Sequence, residues 1–354
     1  MPSDALRLRP VVPRSDTAYR SFIVTSLALS VLVGFLLAIH IPVGRLLDAG
    51  WPERTADLIH GHGQVQLLGF AGLYVMGMSL RLLPRFAGAR LQLEGLIPVV
   101  LWSMAASLAV QSVILPWTSG DLHDVLLLMS TFGVLLASGC FLLVVTATAA
   151  VEAQHPDASS LAFTFGAFGL FVASAVRTFA AIDTVEAGER SIPYLANVAV
   201  TQLQLLGFLL VFIVGVGLRA LPVLVGRDRP ERGAGFLPAA VAFCVFVHAG
   251  AVLYLQYATY TQGIAMVADA ALLLLGLCLL LLVWQAGVLR PRANRARPAS
   301  QAAMWPVRGA FFWLMFAAFL MVYSERRRWS TATSSLRTKS TPCAIHWAPA
   351  CSPT

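Results

Sequence analysis

The stretch Gln64-Val65-Gln66-Leu67-Leu68-Gly69-Phe70 returns, with one substitution, as Gln202-Leu203-Gln204-Leu205-Leu206-Gly207-Phe208. The match continues downstream, so that residues 64–90 align with residues 202–228 at 12 identities in 27 positions. Shared further on are Gly77/Gly215, Leu80-Arg81/Leu218-Arg219, Leu83-Pro84/Leu221-Pro222 and Gly88/Gly226. Around this motif the chain is apolar over runs of roughly 20 residues, the length that crosses a hydrocarbon core. The interval between copies holds four such runs. An even number returns the chain to the same side, so the copies are parallel repeats of a four-helix unit. What precedes the motif is not repeated: His60-Gly61-His62-Gly63 leads into the first copy, while positions 198 and 200 are both valine.

Composition agrees. The chain of 354 residues is 58% hydrophobic and only 12% charged, with mean hydropathy +0.76. A soluble domain carries about 25% charged residues. The reading is all-α, a polytopic transmembrane helical bundle. Long continuous apolar runs exclude a β-barrel, whose strands alternate over ~10 residues. Membrane lipid is the bulk partner. The net charge of +8 implies no nucleic acid, because the arginines sit in short loops as the positive-inside rule requires. Cys140, Cys244 and Cys278 lie inside apolar runs and read as small packing residues.

Nine spans are predicted, at Ser21–Ile41, Asp57–Leu83, Leu96–Leu115, Leu122–Val151, Leu161–Ile182, Leu195–Val225, Leu237–Tyr257, Gly263–Val288 and Ala303–Tyr323. This divides the chain into an N-terminal tail (1–20), a helical domain (21–325, repeating from about 57 and about 195) and a polar tail (326–354). Arginines gather before span one and after spans two, six and eight, which places the N-terminus in the cytoplasm. The acidic loop 152–157 falls on that same side and speaks against it. On this topology His40, His60, His62 and His123 lie at one outer depth, and His248 lies in mid-membrane.

Polar side chains at membrane depth are costly and tend to be functional, and imidazole is a common ligand for transition metals and haem iron. His60 and His62 are therefore the candidate metal ligands. Successive helical residues turn by about 100°, so the two point to different faces, His60 above Gln64 and His62 above Gln66. His248 is either a ligand or a core histidine satisfied by Gln204 or a backbone carbonyl. Gln64, Gln66, Gln202 and Gln204 occur in both copies, which favours interhelical hydrogen bonds, with a cofactor-facing role as the alternative. Arg81 and Arg219 are expected to snorkel at the cytoplasmic ends. Arg177, toward the outer end of span five, calls for an anion: Asp183, a haem propionate or a lipid phosphate. Walker, Rossmann, CxxC, c-type haem and HExxH motifs are absent from the sequence.

The segment His60 to Phe70, with Met76-Gly77 and Leu83-Pro84-Arg85, resembles the second helix of the NnrS family. That resemblance implies a multi-pass protein of the bacterial inner membrane, containing haem b and copper and involved in the response to nitric oxide. It also implies a layout similar to the haem-copper oxidase catalytic subunit, twelve helices in three four-helix arcs. Under it His60, His62, His248, Arg177, Gln64 and Gln66 would line the cofactor, with His60 and His62 on the metal. The oxidase pattern of copper-ligand histidines on helices six and seven is not reproduced, since span six has none and span seven has only His248. Two other readings stay open: a quinol-linked nitric oxide reductase, against which the few histidines count, and a cofactor-free transporter or structural protein.

From Trp329 onward the character of the chain changes. Lys339 is the only lysine among 25 Lys and Arg, and the change falls where a third repeat is due. The tail is read either as disordered polar chain or as out-of-frame sequence following the loss of spans ten to twelve. The second reading expects an apolar, histidine-bearing continuation in another frame of the DNA past Tyr323; finding none would leave the first.

Overall fold

The computed structural model describes residues 15–47, 52–151, 158–225, 236–258, 261–286 and 308–320, with Trp305 and Tyr323. Among them the chain is helical apart from short connections, without a strand. Among the described residues, eight helices are long and apolar enough to cross a membrane: spans one (Ala18–Leu46), two (Arg54–Ala87), three (Glu94–Trp117), four (Asp121–Ala150), five (Ala158–Glu186), six (Tyr194–Ala220), seven (Phe236–Tyr257) and eight (Gln262–Gln285). Helices suit these runs because each backbone group finds its partner within the segment, which hydrocarbon demands. Their outward faces are apolar, with Leu32, Trp102, Phe179 and Phe243 exposed. The expected ninth span is described only as the shorter apolar helix Arg308–Leu320. The acidic loop 152–157 and the tail 326–354 lie outside the described residues.

The repeat is visible in three dimensions. Offset by the sequence interval, spans one to four correspond to spans five to eight, and span two meets span six between the two halves. Both of these helices widen into a π-helical segment over equivalent residues, Val65–Gly72 and Leu203–Leu210. Spans one and three carry shorter π-helical segments, Ser30–Phe35 and Val110–Ile114. The sequence motif alone predicts an ordinary helix here. Such widened turns often mark functional positions.

Shared glycines set the helix crossings. A Cβ built on Gly77 would lie 2.7 Å from Phe22 Cβ and 3.1 Å from the Tyr19 carbonyl oxygen, on span one. One built on Gly215 would lie 2.7 Å from Ala162 Cβ, on span five. The same register position brings the first helix of each copy against the second, since small residues let backbones approach where lipid is as apolar as the protein. Gly88 closes span two in the left-handed region (φ 63°), and the Ala89 amide donates to the Pro84 carbonyl at 3.1 Å. The halves meet over a phenylalanine cluster. The Phe212 ring lies 5.0 Å from Phe163 and 5.1 Å from Phe208, with Phe141 at 6.1 Å. Such pairs add about 0.5–1.5 kcal/mol each beyond their area.

The repeated arginines do more than snorkel. Arg81 lies 4.5 Å from the Tyr19 ring centroid. Arg219 donates from Nη1 to the Phe86 carbonyl at 2.7 Å and sits over the Phe86 ring. It thus satisfies a carbonyl in the last turn of span two that no helical amide reaches.

Gly77→Ala should lower the melting temperature of the detergent-purified protein, at a cost of about 1–3 kcal/mol for overpacking. Gly63→Ala, where a Cβ meets nothing within 4 Å, should leave it nearly unchanged. Equal melting of the two variants would mean that the Gly77 crossing does not set the packing.

Candidate functional site

The motif leading into span two lies in the α-helical stretch Pro52–Gln64, just before the π-helical segment. Gly61 lets this end of the helix lie flat on span three, because a Cβ there would come within 2.9 Å of Ser112 Cα and 3.1 Å of the Gln111 carbonyl oxygen. The two histidines diverge as helical geometry requires. His62 and Gln66 face span one: His62 Nδ1 lies 3.1 Å from the Gly34 carbonyl oxygen, and Ser30 Oγ donates to Gln66 Oε1 at 3.3 Å. His60 and Gln64 face the other spans.

Gln64 is committed to the second repeat. Its Nε2 donates to Gln204 Oε1 at 3.3 Å, and Gln204 Nε2 donates back to Gln64 Oε1 at 3.2 Å. Both side chains are buried, so this closed amide pair joins span two to span six away from water. Of the four repeated glutamines, the first of one copy therefore pairs with the second of the other. That crossed pairing follows from how the helices meet.

His60 lines a small cavity of ≈ 20 Å³ together with Asp57, Gly61, Gln111, Leu115, Leu127, Arg177, Arg190, Ser191 and Ile192. Asp57 Oδ2 accepts from Arg190 Nε at 2.8 Å and lies 3.6 Å from His123 Nε2. His123 Nδ1 is 3.3 Å from Asp124 Oδ1. Arg190, in the connection between spans five and six, also donates from Nη2 to the carbonyls of Pro116 (3.4 Å) and Thr118 (3.1 Å). It ties that connection over the ends of spans two and three. Arg177 is 4% exposed; its Nη2 donates to Gln111 Oε1 at 3.4 Å, while Nε and Nη1 are buried without a hydrogen-bond partner. Asp183 is not its partner. Six residues further along the same helix, Asp183 points away from Arg177, on a turn of about 240°. Ionisable side chains buried within a membrane bundle are costly and tend to be functional, and this one leaves two of its three guanidinium nitrogens without a partner.

His248 is placed differently. Its Nδ1 lies 2.8 Å from the Ala268 carbonyl oxygen of span eight, and the ring is 5% exposed. Of the two partners the sequence suggested, the backbone carbonyl holds it, while Gln204 is engaged with Gln64. His40 stacks edge-on against Trp117 at 5.9 Å. Among the described residues no group of three or more His, Cys, Asp or Glu is placed to hold a metal ion.

The six residues expected to line a cofactor thus divide among separate places. His62 and Gln66 share one side of span two. His60 and Arg177 share the cavity, Gln64 sits between the repeats, and His248 lies in the second half. Asp57, Gln111 and Arg190 were missed. The signal for Gln111 was present in the sequence, as a lone amide within the apolar run Leu108-Ala109-Val110-Gln111.

A double-mutant cycle on Gln64→Leu and Gln204→Leu should give a favourable coupling of about 0.6–2 kcal/mol in unfolding from detergent micelles. Each single variant orphans the facing amide, and the double variant should recover part of the loss. Strict additivity would show that the pair contributes nothing.

No protein-family model matches the chain, and no curated protein matches its sequence, so its own side chains carry the functional reading.

Proposed function

We propose that this multi-pass membrane protein binds haem through the His62 imidazole and acts in the response to nitric oxide. The observation that carries the reading is the contact between His62 Nδ1 and the Gly34 carbonyl oxygen at 3.1 Å. A carbonyl only accepts, so Nδ1 bears a proton, and in the tautomer protonated there Nε2 keeps its lone pair. Metal-ligating histidines are held this way, with the second ring N–H given to a carbonyl or carboxylate that fixes tautomer and orientation. His62 is half-buried, which leaves it reachable by a bound group. His248 has the same tautomer but is closed in between spans seven and eight.

The other residues sort by fit. A single oriented imidazole could hold a haem iron. The cavity at His60 has room for a small ion and not for a macrocycle. Among the described residues neither histidine has two further His, Cys, Asp or Glu side chains grouped with it, so the anchored His62 ring favours haem over a multi-ligand copper site. Gln66, held by Ser30, forms the polar wall one turn beyond His62. A haem bound there would supply an iron able to bind nitric oxide. The chain's own contribution is the anchored ring, and the resemblance of the His60–Phe70 segment to the NnrS family supports the reading.

The visible spectrum of protein purified in detergent from haem-supplemented cells tests this. Wild type should show a Soret band that shifts when nitric oxide is added without oxygen. His62→Ala should lose the band and His60→Ala should keep it. Absence of the band in wild type, or an unaltered band in His62→Ala, would overturn the assignment.

A further inference from the structure

The cavity under Arg190 has too many donors for the acceptors it holds. Arg177 Nε, Arg177 Nη1 and Gln111 Nε2 are all buried and have no hydrogen-bond partner. The one carboxylate lining the cavity is Asp57, and Arg190 already occupies its Oδ2 at 2.8 Å. Two guanidinium groups against one carboxylate leave a surplus of one positive charge in a space walled by apolar helices. Water would offer acceptors to the idle N–H groups but would not balance that charge. In a low-dielectric site an uncompensated cation is far more costly than a paired one.

The repeat shows that this surplus is no part of the scaffold. The counterparts of Asp57, His60, Gln111 and Arg177 in the other copy are Leu195, Val198, Ala249 and Ile39. Each of these four polar side chains thus corresponds to an apolar one at the equivalent position of the other copy. The polar set comes from three different spans, two, three and five, and converges on one point. A purely structural strut between spans three and five needs only the Arg177–Gln111 hydrogen bond, which uses one of the three guanidinium nitrogens.

We infer that this cavity binds one small monovalent anion, a halide or a small planar oxyanion, held by Arg177 and Gln111. The size agrees, since ≈ 20 Å³ admits a single small ion or one to two waters and nothing larger. The single charge agrees as well, because one negative charge neutralises the surplus left after Asp57 and Arg190 pair. The entrance lies beside Arg190, whose side chain is 29% exposed while Asp57 is 5% exposed. An arriving anion meets a partly hydrated guanidinium before the buried one.

Equilibrium binding of radiolabelled chloride to the intact, detergent-purified protein tests the site, in gluconate buffer at constant ionic strength. Binding should saturate near one ion per chain and be displaced by nitrate. Arg177→Gln should weaken it by about tenfold or more, the scale of a lost hydrogen bond to a charged group. Gln111→Leu should weaken it several-fold, and Arg177→Lys should retain it in part. Should Arg177→Gln fail to fold, Gln111→Leu decides the matter. Absence of saturable chloride binding with no nitrate effect on melting temperature would overturn the inference. Chloride binding unchanged in the folded variants would overturn it equally.

Discussion

In hydrocarbon, one apolar helix gains little by leaving lipid for another, so polar contacts and close backbone approach must hold a bundle together. Here the reciprocal amide pair of Gln64 and Gln204 is the contact on which the rest depends. It sits where spans two and six begin to widen, and its two hydrogen bonds close only at one register of the two helices. Slippage by a residue would turn both amides into lipid or into packed leucine. With that register set, the phenylalanines of spans four, five and six stack below it, and span two is held against spans three and five. Only then do Asp57, His60, Gln111 and Arg177 face one another.

The two repeats divide the labour unequally. Glycines, glutamines, arginines and prolines that recur serve the architecture, at helix crossings, at the amide pair and at helix ends. The side chains with other chemistry do not recur. His60, His62 and Asp57 belong to the first copy, and Arg177 belongs to the second. The shared scaffold supplies two similar helix pairs, and the unshared residues distinguish them. On one side of span two an imidazole is oriented by a backbone carbonyl, and on the other a buried guanidinium faces a small cavity. The two sites are separated by the width of one helix, and no side chain is common to both.

Much of the architecture was legible because hydrophobic length and repetition are properties of the chain itself. The eight described spans follow the apolar runs, since a helix satisfies the backbone of such a run within the run itself. The divergence of His60 and His62 follows from the advance of about 100° per residue, and it holds because the helix is regular until Gln64. The interhelical role of the glutamines also follows, from the cost of leaving an amide unpaired in hydrocarbon. Arg81 and Arg219 were read as snorkelling, which is the behaviour of an isolated helix end. Their aromatic and carbonyl partners come from neighbouring spans and could not be read from either helix alone.

The sequence by itself determined the class of fold, the four-helix period and the small set of polar residues able to do chemistry, because each of these is written in local composition and spacing. Tertiary structure decided which of those residues meet. It paired Gln64 with Gln204 across the repeats, gave the Nδ1 of His62 to Gly34 and that of His248 to Ala268, and left Arg177 without the carboxylate six residues along its own helix. It also brought in Asp57, Gln111 and Arg190 from three separate segments. The physical reason is that a hydrogen bond between helices depends on their crossing point and rotation. Those are set by packing summed over the whole bundle, which no window of sequence contains.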